Sequence, residues 1–418
     1  MSSKFVAAFG VFALVVASSG TAGAAMCKKS GRCLCGSPTP TLLSFTTTVG
    51  SGTCGDLESA TGTQLLTLDC SKLYIGGGGA GAVPPGTVPD YGTTKYKVCC
   101  RRHKLFLSAA TATDTGSNRD CSGVGCLYGP PLPIPNPTVP ALSTCVINEV
   151  ATDATGTASC DTGSASTSIP LTSHVFLKGD MLPKRCGPGT PNPDDIGRRC
   201  AMDTDCGATA AAGSCVDDSA HIQPCPICNP GTLKCNGGPN DTPGMAAVAC
   251  TPGTVASTGD AFPVSHDCPP ASPSEAAIAD LAIPFELTTG TATKTATLMN
   301  GQMVFCGFCG AATSPDFHNP PVPCTSNQDC ARVTGTCGSV ACDTCKQRSS
   351  GAFGHGAAHT ITENGSPAGA ISTGGSGSGT LASVFCVPPT FAAGGLVDSS
   401  ADLPGPGAVA FPVTMSLQ

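Results

Sequence analysis

Cysteine is the residue whose spacing could do chemistry in this chain, and its pattern is written twice. Cys200 to Cys228 reads CAMDTDCGATAAAGSCVDDSAHIQPCPIC, spaced C-x5-C-x8-C-x9-C-x2-C. Cys324 to Cys345 reads CTSNQDCARVTGTCGSVACDTC, spaced C-x5-C-x6-C-x4-C-x2-C. Cys200, Cys206, Cys215, Cys225 and Cys228 thus match Cys324, Cys330, Cys337, Cys342 and Cys345 in order. Both copies open on C-x2-[DN]-x-D-C. The first and last intervals are fixed while the middle ones vary, as loops between fixed crosslinks do. Thiols so placed can pair as disulfides, ligate a soft metal, or cycle between thiol and disulfide.

The C-x2-C pairs Cys225/Cys228, Cys306/Cys309 and Cys342/Cys345 match half of a zinc ribbon. FCGFCG at Phe305–Gly310 raises a redox reading, which needs a thiolate at a helix N-terminus. The following AATSPDFHNPP is too Pro-rich to continue as a helix. The compartment decides for disulfides. Lys4, the apolar run Phe5 to Ala17 and the small residues Ala22 to Ala25 read as a signal peptide over 1–25. A membrane span needs about 20 apolar residues, and neither this run nor any later one is long enough. Met26 stands where a lipidation signal at Cys27 wants a small residue. All 28 cysteines follow the signal, an even number, so disulfides are expected throughout, Cys306 and Cys309 included.

Acidic residues crowd the first copy. Asp203, Asp205, Asp217 and Asp218 could offer oxygens to calcium, which takes six to eight. The bland alternative is solvated carboxylates, or Asx-turns ahead of each cysteine. Lys95, Lys97, Arg101, Arg102 and Lys104 form a basic cluster. It reads as an anion patch, or as edge-strand charges that block pairing. Catalytic signatures such as G-x-S-x-G, H-E-x-x-H and a P-loop do not occur in the sequence. A formal net charge of −7 argues against a nucleic-acid partner, which wants a positive face.

The elements that must position these groups are strands. Charged residues are 12% of the chain and aromatics 5%, with 53 Gly, 37 Pro and no Trp. Such a composition favours turns, disfavours helix interiors and leaves few bulky core side chains. Strands are expected at 42–49, 64–75, 143–149, 168–178, 283–298, 303–306, 358–363, 381–386 and 408–417. Tyr96–Val98 and Leu105–Ser108 flank a hairpin turn. Gly129 to Pro140 is an extended spacer or an edge segment. Ser274–Leu281 has helical character, and Gly374 to Gly379 reads as a flexible loop. VFC recurs at Val304–Cys306 and Val384–Cys386. The expected organisation is all-β. A sandwich-like domain over 26–185 and another over 256–418 are joined by a Cys-rich module at 186–255. A second module lies at 322–346.

CAMDTDC resembles the opening of small disulfide domains of the whey-acidic-protein and dickkopf type. The paired cysteines that whey-acidic domains carry next are missing, so protease inhibition does not carry over. The whole layout resembles secreted Cys-rich proteins of environmental bacteria, where C-x2-[DN]-x-D-C repeats sit between Thr/Gly-rich β segments. That resemblance implies an extracellular setting without an activity. The expectation is a secreted, crosslinked structural or adhesive protein that self-associates or contacts cell-envelope components, without catalysis or cofactor. The alternatives are a calcium-dependent ligand-binding module and a secreted hydrolase whose site assembles from distant residues.

Overall fold

A computed structural model describes residues 41–47, 52–59, 63–75, 86–87, 93–101, 104–108, 132–134, 144–150, 154–176, 184–196, 200–217, 225–241, 245–251, 264–265, 267–270, 277–299, 302–348, 359–390, 398 and 402–418. Residues 1–25, expected to be a signal peptide, lie outside them.

Ahead of the first Cys-rich stretch run β1 (Thr41–Thr47), β2 (Thr53–Ser59), β3 (Gln64–Asp69), β4 (Lys72–Ile75), β5 (Gly86–Thr87) and β6 (Thr93–Arg101). They continue with β7 (Lys104–Ser108), β8 (Leu132–Ile134), β9 (Thr144–Val150), β10 (Thr155–Ser159) and β11 (Ala165–Phe176). The Cys-rich stretch itself holds β12 (Lys184–Cys186), β13 (Cys215–Asp217), β14 (Ile227–Asn229) and β15 (Lys234–Asn236). Then come β16 (Ala277–Thr288), β17 (Thr291–Met299), β18 (Gln302–Val304) and β19 (Gly307–Gly310). The second Cys-rich stretch adds β20 (Pro323–Cys324), the one-turn helix α1 (Asn327–Cys330), β21 (Thr336–Cys337), β22 (Val340–Ala341) and β23 (Thr344–Lys346). The chain closes with β24 (His359–Asn364), β25 (Ser376–Val387) and β26 (Gly405–Leu417). The fold is all-β.

The largest sheet curls round on itself. Neighbours run β1, β6, β7, β10, β11, β16, β25, β26, and β26 pairs back to β1. Each of these pairs is antiparallel, and the seam from β16 to β25 is the single position Thr288↔Ala382. Two long strands turn the wall. β26 shares one edge between β4 and β1, and β11 shares one edge between β10 and β9.

Alternate residues point inward, as the pleat requires. Ile169, Leu171 and Val175 of β11 meet Leu281, Ile283, Phe285 and Leu287 of β16 and Val409, Phe411, Val413 and Met415 of β26. Phe285 lies 5.1 Å from Phe385 and 6.4 Å from Phe411 between ring centroids, tilted or edge-on, as aromatic quadrupoles prefer. The inside of the curl is therefore a packed apolar core.

A second sheet, ordered β18, β17, β24, β2, β3, covers the outer face of β25 and β26. Leu57, Leu68 and Ile361 there meet Ala382, Val384, Ala408 and Ala410. With both faces covered, β25 and β26 need apolar residues at successive positions, and their text (LASVFCV, AVAFPV) loses its alternation.

Several expectations are corrected. The run 64–75 is two strands, since a turn at Cys70–Ser71, with Ser71 at φ 58°, sends β3 to the outer sheet and β4 to the curled one. The helix expected at Ser274–Leu281 is strand from Ala277 onward, because pairing with β11 outweighs local propensity. Ser376–Gly379 is paired strand against Val413–Ser416. Its glycines answer a close crossing: a Cβ on Gly377 would meet the Ala368 carbonyl at 2.4 Å. The Pro-rich segment takes the edge alternative, since it supplies β8, which pairs β9 alone among the described residues. The expected boundary at 186–255 separates stretches of sequence but not sheets. β11 from before it and β16 from after it pair along eleven positions.

Gly365 sits where β24, the β16–β17 turn and β25 meet. A Cβ there would lie 2.4 Å from the Thr288 carbonyl and 2.7 Å from that of Thr380. Gly365→Ala is expected to destabilise by about 1–3 kcal/mol, seen as a lowered denaturant midpoint at unchanged m-value.

Candidate functional site

The doubled motif is built onto a pair of strands. Cys186 on β12 faces Cys215 on β13, and Cys309 on β19 faces Cys345 on β23. Opposed cysteines in both ladders bond outward, not to each other. Cys186 joins Cys206 and Cys215 joins Cys200, with Cα separations of 5.4 and 5.9 Å. Cys309 joins Cys330 and Cys345 joins Cys324, at 5.3 and 5.8 Å. The C-x5-C segment is thus clamped across a two-stranded ladder by two disulfides, identically in both copies. A third instance uses Cys228 and Cys235, opposed on β14 and β15, which bond to Cys250 and Cys268.

This geometry re-registers the repeat. Cysteine order matches Cys215 with Cys337, whereas the ladders match Cys215 with Cys345. Cys337 and Cys342 close a small hairpin of their own, present in the second copy only. The missed signal is one cysteine ahead of each motif, Cys186 and Cys309, fourteen and fifteen residues upstream.

Every C-x2-C pair is split between different bridges. Cys225 goes to Cys145 and Cys228 to Cys250. Cys306 goes to Cys386, while Cys309 goes to Cys330. Cys342 goes to Cys337 and Cys345 to Cys324. Three clusters hold three sulfurs within 4.8 Å of one another: Cys186/Cys200/Cys206, Cys235/Cys250/Cys268 and Cys309/Cys324/Cys330. All nine of these cysteines are in disulfides. The two VFC tripeptides are bridged to each other through Cys306 and Cys386.

The acidic residues of the motif serve the backbone. Asp203 accepts from the N–H of Cys215 at 2.7 Å and of Gly213 at 2.9 Å. At the equivalent place Asn327 accepts from the N–H of Cys345 at 2.8 Å. Asp and Asn share the side-chain oxygen this bond needs, which accounts for the [DN] degeneracy. The last Asp closes its own turn: Asp205 accepts from the N–H of Ala201 and Met202, and Asp329 from those of Thr325 and Ser326. The Cys215 and Gly213 N–H groups hold the Asp203 carboxyl below the usual carboxylate range. The Thr325 backbone and hydroxyl, followed by Ser326, do the same for Asp329. Calcium at Asp203 would have to take both oxygens from these donors. Asp217 lies on β13 opposite Lys184; Asp218 lies outside the described residues.

The basic cluster follows the expected hairpin, with Arg101 paired to Lys104. The edge-strand reading is corrected, because β6 pairs β1 on one side and β7 on the other. Arg102 lies outside the described residues.

Sequence reasoning passed over three ionisable residues. His174, on the outer face of β11, has Nδ1 2.7 Å from Asp280 Oδ1 and Nε2 2.9 Å from Glu149 Oε2. Both ring nitrogens face carboxylates. The group ties β9, β11 and β16 side by side. Lys346 donates from Nζ to the Ala311 and Ser314 carbonyls at 2.6 Å and lies 4.9 Å from the Phe317 ring centre. Burial pushes its ammonium pKa down. Glu363, 2% exposed, is pushed up to about 7 by burial. All three lie on strands, where one sequence shows no neighbour across the ladder.

Asp203→Asn is expected to refold with native disulfide pairing, as Asn327 does in the other copy, whereas Asp203→Ala should scramble Cys200–Cys215. Peptide mapping without reduction reads both. The lowered carboxyl pKa values of Asp203 and Asp329 mean that these turns keep their bonds through mild acid. They lose them only as pH falls below the usual carboxylate range, which carboxyl NMR titration checks.

No family model matches this chain, and no curated protein or solved structure is significantly similar to it.

Proposed function

We propose that the protein is a secreted structural or adhesive component of a cell surface or extracellular assembly, and that its Cys-rich modules make the contacts. One observation carries this reading: among the described residues, six of the seven exposed large hydrophobics lie in the two modules. They are Ile196, Met202, Leu233, Met245, Val248 and Val340; the seventh is Leu298 on β17. Apolar side chains held out on crosslinked loops suit association, because the loops lose little further entropy on binding. Leu233 adds to this, holding a left-handed φ of 53° while half exposed. A branched side chain in that conformation is strained, and such strain gathers at working surfaces.

The disulfides support an oxidising setting. No helix among the described residues is long and apolar enough to cross a membrane. The resemblance to secreted Cys-rich bacterial proteins with C-x2-[DN]-x-D-C repeats belongs to the same reading.

The test is sedimentation and surface retention of the secreted protein and of a triple variant, Met202→Lys, Leu233→Lys and Met245→Lys. Weakened self-association or retention, with an unchanged melting midpoint and disulfide map, is the expected result. Wild-type protein that stays monomeric and unretained would end the reading. A melting shift on adding calcium or a chelator would instead favour the cation-dependent ligand-binding module.

A further inference from the structure

The seam between β16 and β25 has the fewest paired positions of the curled sheet, and a side chain stands in for a strand there. The outward edge of β25 is satisfied by three partners in turn. Thr380 exchanges backbone hydrogen bonds with Ser366. Ala382 pairs with Thr288, the one position shared with β16. Two residues on, the Val384 N–H donates to Oε2 of Glu363, which belongs to β24 of the outer sheet. Val384 and Ile361 belong to the apolar layer between the sheets.

Glu363 is thus a buried acid in that layer. The charged groups acting on it are Lys294 of β17, which favours ionisation, and Glu286 of β16, which opposes it. Lys294 bonds Glu286 at 2.8 Å across the mouth of the splayed β16–β17 hairpin. The Val384 N–H also favours ionisation, and desolvation outweighs it and Lys294 together.

We propose that Glu363 is a protonation-controlled latch: as a neutral carboxyl it holds the outer sheet to β25 where β16 departs, and on ionising it draws water into the layer and frees the seam. The neutral acid keeps its carbonyl oxygen for the Val384 N–H and leaves no charge among apolar neighbours. Because the folded-state pKa lies above that of an exposed Glu, the folded chain holds a proton the unfolded chain releases. The stability from this proton is full below the ordinary Glu range and is lost as pH rises through about 7. Glu363 thereby runs opposite to Asp203 and Asp329, whose bonds are lost toward acid.

The experiment is amide exchange at Val384 against pH, corrected for base catalysis, beside the Glu363 carboxyl shift by NMR. Protection should fall by about tenfold per pH unit between the ordinary Glu range and about 7, and level off above it. Glu363→Gln should abolish the pH slope, and Glu286→Gln should lower the midpoint by removing a like charge and releasing Lys294. The surface change at Glu286 keeps the test available if Glu363→Gln fails to fold. Exchange at Val384 that follows base catalysis alone, or a carboxyl titrating in the ordinary Glu range, would overturn the proposal.

Discussion

Two cysteines facing each other across a ladder, each bonded outward, are the constraint on which the Cys-rich modules depend. The arrangement turns two short strands into an anchor for segments with no apolar periodicity. In the modules the buried clusters are largely sulfur. One is Cys228, Cys235, Cys250 and Cys268, and another is Cys186, Cys200 and Cys206. Backbone ordering costs about 1–2 kcal/mol per residue, and there is little hydrophobic burial here to offset it. A bridge contributes about 2–4 kcal/mol, more for longer loops. Most module bridges close loops of 15 to 33 residues. Cys145–Cys225 and Cys306–Cys386 each span 80 residues and tie a Cys-rich stretch to the curled sheet.

The sheets use the ordinary alternative. Their inner face is a continuous apolar layer, and β25 and β26 are packed on both sides. Small residues on their outer face, Ala382, Ala408 and Ala410, leave room for Leu57, Leu68 and Ile361. The protein therefore has two kinds of core. One is covalent and local to each module; the other is apolar and assembled from strands on both sides of the first module.

Charge is scarce at 12% of the chain, and several acids serve the backbone. Asp203, Asp205, Asp329 and Glu363 each accept from main-chain N–H groups. Asp203 and Asp329 meet several donors near solvent, which hold their carboxyl pKa values below the usual range, while burial in an apolar layer pushes that of Glu363 up to about 7. Environment sets the direction in each case.

Composition and spacing by themselves determined the all-β class, the crosslinking of the cysteines, most strands of the two larger sheets and the hairpin at the basic cluster. These are local properties: alternation, turn residues and thiol frequency act over a few positions. Tertiary structure alone decided which cysteines correspond, because Cys186 and Cys309 become equivalent only through ladders that bring Cys215 and Cys345 opposite them. It also decided that 64–75 divides between two sheets, that 277–281 is strand, and that Asp203 caps a strand. His174 and Glu363 gain their partners from strands far away in sequence. Pairing energy between distant segments leaves no mark at either segment alone, and so the sheet decides what the text leaves open.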